Sequence, residues 1–299
     1  MGMPLFGAIE AGGTKFVCAV GSSEGGSLRM ETIPTRDPES TFADVTRFFV
    51  EARELGALCG VGIGSFGPVG VNPKAADYGR ILATPKPGWE GFDMIEAVKA
   101  FADVPVALDT DVNTAALAEA RLAGEGVDTL AYVTVGTGIG VGIVQEGRPL
   151  HGFAHPEMGH ILVRRHPKHG DFPGLCPFHG DCIEGLAAGP AVGKSWDLTP
   201  SQIPEDHPFW EVEADYLAQL CMTLLLTVAP DRIVMGGGVM KQERLFPLIR
   251  ARTLELLAGY LYGADDPETM QRRIVPPLSH EAPGLVGAYH LIEAIVKKA

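Results

Sequence analysis

Residues 4–20 read PLFGAIEAGGTKFVCAV and residues 129–145 read TLAYVTVGTGIGVGIVQ. In each, a short apolar run enters a glycine turn and a second apolar run leaves it, which is the pattern of a β-hairpin. The first turn is Gly12-Gly13, the second Gly136-Thr137-Gly138-Ile139-Gly140. A helix is predicted next over about 39–55, with Phe42, Val45, Phe48, Phe49 and Ala52 at helical spacing, followed by strands over 60–65 and 104–108 and a helix over 112–123. The second hairpin is followed by a helix over about 210–227, a strand over 232–235 running into Gly236-Gly237-Gly238, and a helix over 246–257. Two such units about 125 residues apart predict a duplicated α/β domain with a cleft between its halves. No Pro- or Ser-rich linker separates them, so a hinge is expected around residues 110–130. The expected lobes are 1–111 and 112–284, with a C-terminal helix over 285–299 joining the first.

Composition sets the class. A chain of 299 residues that is 46% hydrophobic can bury a full core and suits about two domains. Its formal charge of −13 repels phosphate backbones, so no nucleic-acid partner is expected and an anionic substrate needs local cations. The opening MGMPLFGAIEAGG lacks a basic n-region, so no signal peptide is expected, and Phe6 stands where myristoylation requires Ser or Thr. The longest apolar stretch, residues 220–229, contains Thr223 and Thr227 and is too short to span a bilayer. Five cysteines, an odd number, with no secretory signal favour a reducing, cytoplasmic setting.

His160, Cys176, His179 and Cys182 are spaced H-x15-C-x2-H-x2-C. Soft ligands so close together suit a tetrahedral zinc ion. Two free thiols with two loop histidines, or a Cys176–Cys182 disulfide, are the alternatives. Four protein ligands leave no position for water, so such a zinc is structural, and a catalytic-zinc hydrolase would need an open site. Cys18, Cys59 and Cys221 lie in apolar runs as core thiols, and His151, His155, His166 and His169 are expected in loops.

Three glycine turns suit anions. In Glu10-Ala11-Gly12-Gly13-Thr14-Lys15, bare backbone N–H groups, a hydroxyl and an ammonium can converge on phosphate, although the turn leads into a strand and lacks the Walker pattern. Gly136-Thr137-Gly138 and Gly236-Gly237-Gly238 are the others, the last at a predicted helix start where the dipole favours anions. Any one of them alone also reads as an ordinary turn or cap. Residues 62–67, GIGSFG, match G-x-G-x-x-G, but Pro68 and Pro73 follow and exclude the helix a dinucleotide site needs. SFGPVG, with Gly67 and Pro68, is taken as a substrate-facing loop.

In order along the chain, IEAGGTK, GIGSFGPVG, DTDVNTAALAE, VGTGIGVG, PEMGH, CPFHGDCIEG and IVMGGGV resemble the ROK family of sugar kinases, and within it the bacterial fructokinases. The resemblance spans nearly the whole chain. It implies a two-lobed, actin-like (ribonuclease-H-like) ATPase fold with ATP and Mg²⁺ in the cleft, a sugar substrate and often a homodimer. It places Thr14 and Lys15, with Gly12 and Gly13, and Gly136, Thr137 and Gly138 around the phosphates, and Gly236, Gly237 and Gly238 at the adenosine. Glu10 stands where many relatives carry Asp, to hold a metal-bound water.

Asp111 of DTDVN aligns with the catalytic base of the family. A loose phosphoryl-transfer transition state asks mainly for positioning and a late proton acceptor, which a carboxylate supplies. From the residues alone, Asp111 reads as the cap of the following helix. Asp109 is the rival carboxylate, and Thr110 replaces the Asn that precedes the base in many relatives. Asn113 matches as a substrate residue. Glu157, His160 and Glu184 match positions that hold sugar hydroxyls, a task suited to groups that accept directional hydrogen bonds. The zinc would then fix the backbone that carries Glu157 and Glu184. The implied activity is ATP-dependent phosphorylation of a hexose, fructose first. A glucose or mannose kinase is the alternative within the family, and a sugar-responsive regulator is the alternative outside catalysis.

Overall fold

The computed structural model describes residues 4–279 and 282–297. Its first sheet grows from the opening hairpin, β1 (Leu5–Ala11) and β2 (Lys15–Ser22), whose residues are almost all buried and therefore apolar in continuous runs. β3 (Gly26–Pro34) pairs antiparallel with β2, and β4 (Leu58–Ser65) and β5 (Val106–Thr110) extend the other side in parallel, giving the order β3-β2-β1-β4-β5. β3 was not anticipated. It is a partly exposed edge strand carrying Arg29 and Glu31, and charge on an edge hides the apolar signal while discouraging pairing with other chains.

The second sheet contains β6 (Thr129–Val135), β7 (Ile139–Gln145), β8 (Arg148–Pro149), β9 (Arg232–Gly236) and β10 (Ile274–Val275) in the order β10-β9-β6-β7-β8. Taken in chain order, strands one to five of each sheet occupy the same places, which is the expected duplication.

Helices complete the units. In the first, α1 (Pro38–Glu51) is capped by Asp37, whose side chain accepts from Ser40 N, and buries Phe42, Val45, Phe48 and Phe49; a 3-10 turn, Ala52–Leu55, finishes the predicted helix. α2 (Met94–Lys99) precedes β5, and α3 (Asp111–Leu122) follows it directly. The second contains α4 (Ile183–Ala187), α5 (Gly189–Trp196), α6 (Phe209–Thr227), α7 (Leu245–Leu257) and α8 (Pro267–Arg273). The last helix, α9 (Pro283–Val296), presents small residues to its neighbours. A Cβ on Gly287 would collide with the Thr114 carbonyl of α3, and one on Gly62 with the Ala288 carbonyl.

This packing moves the expected lobe boundary. Residues up to Leu122, Gly147–Pro156 and those from Ser279 form one unit, and Ala123–Glu146 with Glu157–Leu278 form the other. α3, assigned from sequence to the second lobe, belongs to the first because Gly287 and Gly64 let α9 and β4 close on Thr114. Helix α9 belongs to the first unit, and residues 298–299 of the predicted helix span lie outside the described residues.

Candidate active site

In the first unit, register decides which side chains meet. Ala11 pairs with Ser65 and Ser65 with Thr110, so the chain leaves β1, β4 and β5 side by side at Gly12, Phe66 and Asp111. Parallel neighbours lie about 4.8 Å apart, and the carboxyl ends of such strands are where α/β sheets place ligands. The first turn is held by Gly12 N donating to Lys15 O at 2.9 Å and by Thr35, whose Oγ1 donates to Gly12 O at 2.8 Å. The Thr14 and Lys15 side chains point outward, free to meet an anion.

Glu10 lies under this turn. Its carboxyl packs against the start of α9, where a Cβ on Gly284 would stand 2.8 Å from Cδ. Burial pushes the acid's pKa up, while Lys15 and the Leu285 N–H pull it down, and Oε2 is buried without a hydrogen-bond partner among the described residues. That unsatisfied acceptor suits a donor brought by a ligand, such as a metal-bound water.

The cap of α3 is made by Thr110. Its Oγ1 accepts from Asn113 N at 3.1 Å, while Asp111 is the first helical residue and its Oδ1 accepts from Val112 N at 2.8 Å. The rival Asp109 is only 2% exposed and fully engaged: Oδ1 accepts from Thr110 N at 2.8 Å and Asn113 Nδ2 at 2.7 Å, and Oδ2 stands 3.0 Å from His151 Nε2. That hydrogen bond raises the pKa of His151. Asn113 is 1% exposed and its Oδ1 has no partner among the described residues. His151 was expected only as a loop histidine. Its partner lies 42 positions away, so no local pattern could reveal the contact.

Pro68, in the loop after β4, accepts from Leu82 N at 2.8 Å, and Val69 N faces His155 Nε2 at 3.4 Å. Lys86, in the loop before α2, reaches the first turn: its ammonium donates to Gly13 O and lies 5.6 Å from the centre of the Phe66 ring. This lysine too escaped the sequence reading, because T-P-K-P-G-W marks only a turn. An apolar hollow lined by Phe49, Phe101 and Val104 lies by Leu58, at the opposite end of β4, and takes no part in this chemistry.

In the second unit, Thr134 pairs with Gly236 and Val135 with Ile139, so the other two glycine turns also meet at one sheet end. Gly136 N donates to Gly138 O at 2.9 Å and Gly189 N, at the start of α5, to Gly136 O at 2.8 Å. Gly237 has φ +94° and lies so close to the Val135 backbone that a Cβ could not be accommodated. The third turn does not open a long helix as predicted: only a 3-10 turn, Val239–Lys241, follows it, and α7 begins at Leu245. The dipole expected there is absent. Glu184, expected at the sugar, has Oε2 accepting from Ile139 N at 2.9 Å and packed against Gly138, so it also braces the second turn.

His160, Cys176, His179 and Cys182 come together, their ligand atoms all within 4.8 Å of one another. Cys182 Sγ lies 3.5 Å from His160 Nδ1, and Cys176 Sγ lies 3.7 Å from His160 Nδ1 and 3.6 Å from His179 Nδ1. A tetrahedron with Zn–S near 2.3 Å and Zn–N near 2.0–2.1 Å has edges of roughly 3.3–3.8 Å, so the donor set fits zinc. All five cysteines are free thiols, which removes the disulfide alternative. Burial pushes the Cys182 thiol up to about 11, so cation binding there must displace a proton. Glu157 immediately precedes the Met158–His160 turn, and Cys182 is the N-cap residue of α4, two positions before Glu184.

Two α/β sheets of one topology, with glycine turns at their carboxyl ends, define the actin-like ATPase class. The sequence profile described as "ROK family" matches residues 6–295, and the chain belongs to that family. It is 42% identical over 296 residues to a fructokinase from Pediococcus pentosaceus, covering 99% of this chain and 100% of that one. It is likewise 42% identical over 299 residues to a fructokinase from Zymomonas mobilis subsp. mobilis, covering 98% of each. Among solved structures, a ROK hexokinase from Thermus thermophilus superposes with a TM-score of 0.78 at 24% identity, covering 99% of this chain and 100% of the other.

Proposed function

We propose that this protein transfers the terminal phosphoryl group of ATP to the 6-hydroxyl of D-fructose. The observation that carries the chemistry is that β1, β4 and β5 end level with one another, so the turn after β1 and the carboxylate after β5 stand two strand spacings, roughly 10 Å, apart, which supports a phosphate-binding glycine turn and a carboxylate serving one reaction. Identity of 42% to two fructokinases over nearly whole chains supports the sugar.

Gly12, Gly13, Thr14 and Lys15 take the phosphates, with Gly136, Thr137 and Gly138 assisting, and Gly236, Gly237 and Gly238 leave room for the adenosine. Gly67, Pro68, Asn113, Glu157 and His160 orient the sugar, with the buried Asn113 Oδ1 supplying an acceptor for a hydroxyl. The sugar oxygen attacks the terminal phosphorus, the bond to the bridging oxygen of ADP breaks, and Asp111 accepts the hydroxyl proton. Mg²⁺ bound with ATP would offset phosphate charge, and the orphaned Glu10 oxygen is suited to accept from one of its waters. His160, Cys176, His179 and Cys182 would hold a structural zinc. With Nδ1 committed to the cation, the Nε2–H of His160 is left as the donor for the sugar.

ADP release with fructose, mannose, glucose and N-acetyl sugars tests this. Fructose should give the highest kcat/KM, and Asp111→Asn should lower kcat by roughly 10²–10⁴-fold with nucleotide binding retained. A different best sugar would reassign the substrate. No turnover on any would favour a regulator, and near-normal activity of the Asn variant would remove Asp111 as base.

A further inference from the structure

Lys86 is a half-buried cation for which the reaction described above has no use. Several other cations of the same unit have carboxylate partners: Arg29 pairs with Glu51 and Glu54, Arg47 with Glu31, Arg80 with Asp93 and Lys99 with Glu96. Among the described residues no carboxylate pairs with Lys86, although its loop places the ammonium at the first glycine turn. Burying a charge without a counter-ion is costly, and here burial lowers the pKa of Lys86 with no opposing charge to restore it. The loop nevertheless holds the cation there. Trp89, 1% exposed, donates from Nε1 to Arg36 O at 2.8 Å and packs at 5.4 Å against the Phe66 ring. Phe66 is itself tied to the turn, donating from its N–H to Ala11 O at 2.7 Å. Lys86 thus spans between two of the three strand exits, Gly12–Gly13 and Phe66, and the third exit is Asp111.

We propose that Lys86 is a catalytic residue that donates to the oxygens of the transferring phosphoryl group. An ammonium has three N–H donors, of which one meets Gly13 O. The remaining donors are available to a phosphoryl oxygen on the sugar side of the turn. As the bond to ADP breaks and that to the sugar oxygen forms, negative charge on the phosphoryl oxygens is offset by a cation already in place, which needs no reorganisation. The proton of the sugar hydroxyl still passes to Asp111, and Lys86 gives up none.

The proposal rests on the first glycine turn being the phosphate site, and two sets of variants separate the two ideas. Lys86→Met removes the charge. Lys86→Gln removes it too, but keeps an N–H able to reach Gly13 O. If Lys86 stabilises the transferring group, both should lose roughly a hundredfold or more in kcat, with fructose KM and ATP Kd changed only a few-fold, and Lys86→Arg should recover part of the rate. If Lys86 merely ties its loop to the turn, Lys86→Gln should have the kcat of the wild type, and that result overturns the proposal. A loss confined to ATP or fructose affinity overturns it as well. Should Lys86→Met fail to fold, the Gln and Arg variants carry the same decision. Calorimetric titration of ATP into Thr14→Val tests the phosphate site itself: unchanged affinity there removes the underlying assignment, whatever Lys86 does.

Discussion

Thr110 and Asp111 divide two tasks that the sequence leaves with one residue. An Asp before an apolar helical run reads as a cap, but the cap is made by the Thr110 hydroxyl on Asn113 N, so the Asp111 carboxyl is not needed for it. The departure at Thr110 thereby acquires a physical role. Asp109 could not be set aside from sequence, since two carboxylates two residues apart look alike there; its three engagements in the structure distinguish it. The His151 contact carries a pH signature. Because its pKa is raised in the folded state by the hydrogen bond to Asp109, the associated stability is fully present below the unfolded value near 6.5 and is lost as pH rises through the higher folded value. His151→Gln should therefore melt below the wild type in mildly acidic buffer and converge with it at alkaline pH. A deficit of equal size at every pH would show that the ion pair contributes nothing.

At the scale of elements, hairpins and helices with strong apolar periodicity were legible, while features set by partners distant in sequence were not. The runs of β1, β2 and β6 are buried on both faces and announce themselves. Charged β3 and the two-residue strands β8 and β10 carry no such pattern, because pairing with neighbours defines them. The third glycine turn shows a different limit. Three glycines after a strand suggest a helix start, but the requirement at Gly237 is close approach to Val135 with positive φ. Ala at position 237 should cost on the order of 1–3 kcal/mol from its backbone conformation alone. Contact with the Val135 backbone adds to this, so Gly237→Ala should lower the melting temperature by several degrees and weaken nucleotide binding. A variant with wild-type melting and ATP affinity would show that the turn has slack.

For the whole molecule, a net charge of −13 makes ATP binding depend on a few local cations, and in the proposed site Lys15 at the first turn is the one that would meet the bound phosphates. The duplication was legible because it repeats a pattern; the membership of α3 was not, because it depends on which helix finds glycine to pack against. The proposed zinc also has a wider reach than its spacing suggests. From sequence it clamps the sugar residues, whereas Cys182 at the cap of α4 and the Glu184 contact with Ile139 connect it to the second glycine turn. Metal analysis should find about one zinc per chain, as four ligands saturate one ion. Chelation should raise the KM of ATP as well as that of fructose, and an unchanged ATP KM would break the proposed link.

The docking of α9 also bears on the order of events during synthesis. Every residue of the second unit lies between positions 123 and 278, but the first unit needs Ser279 and beyond. Until α9 emerges, Gly62 of β4 and Thr114 of α3 lack the helix that their surfaces are cut to receive. Domains usually complete in the order they leave the ribosome. Of the two units, the one that contains β1 is the last to have all its parts, and its glycine-lined face stays open to solvent or a chaperone until α9 has been made.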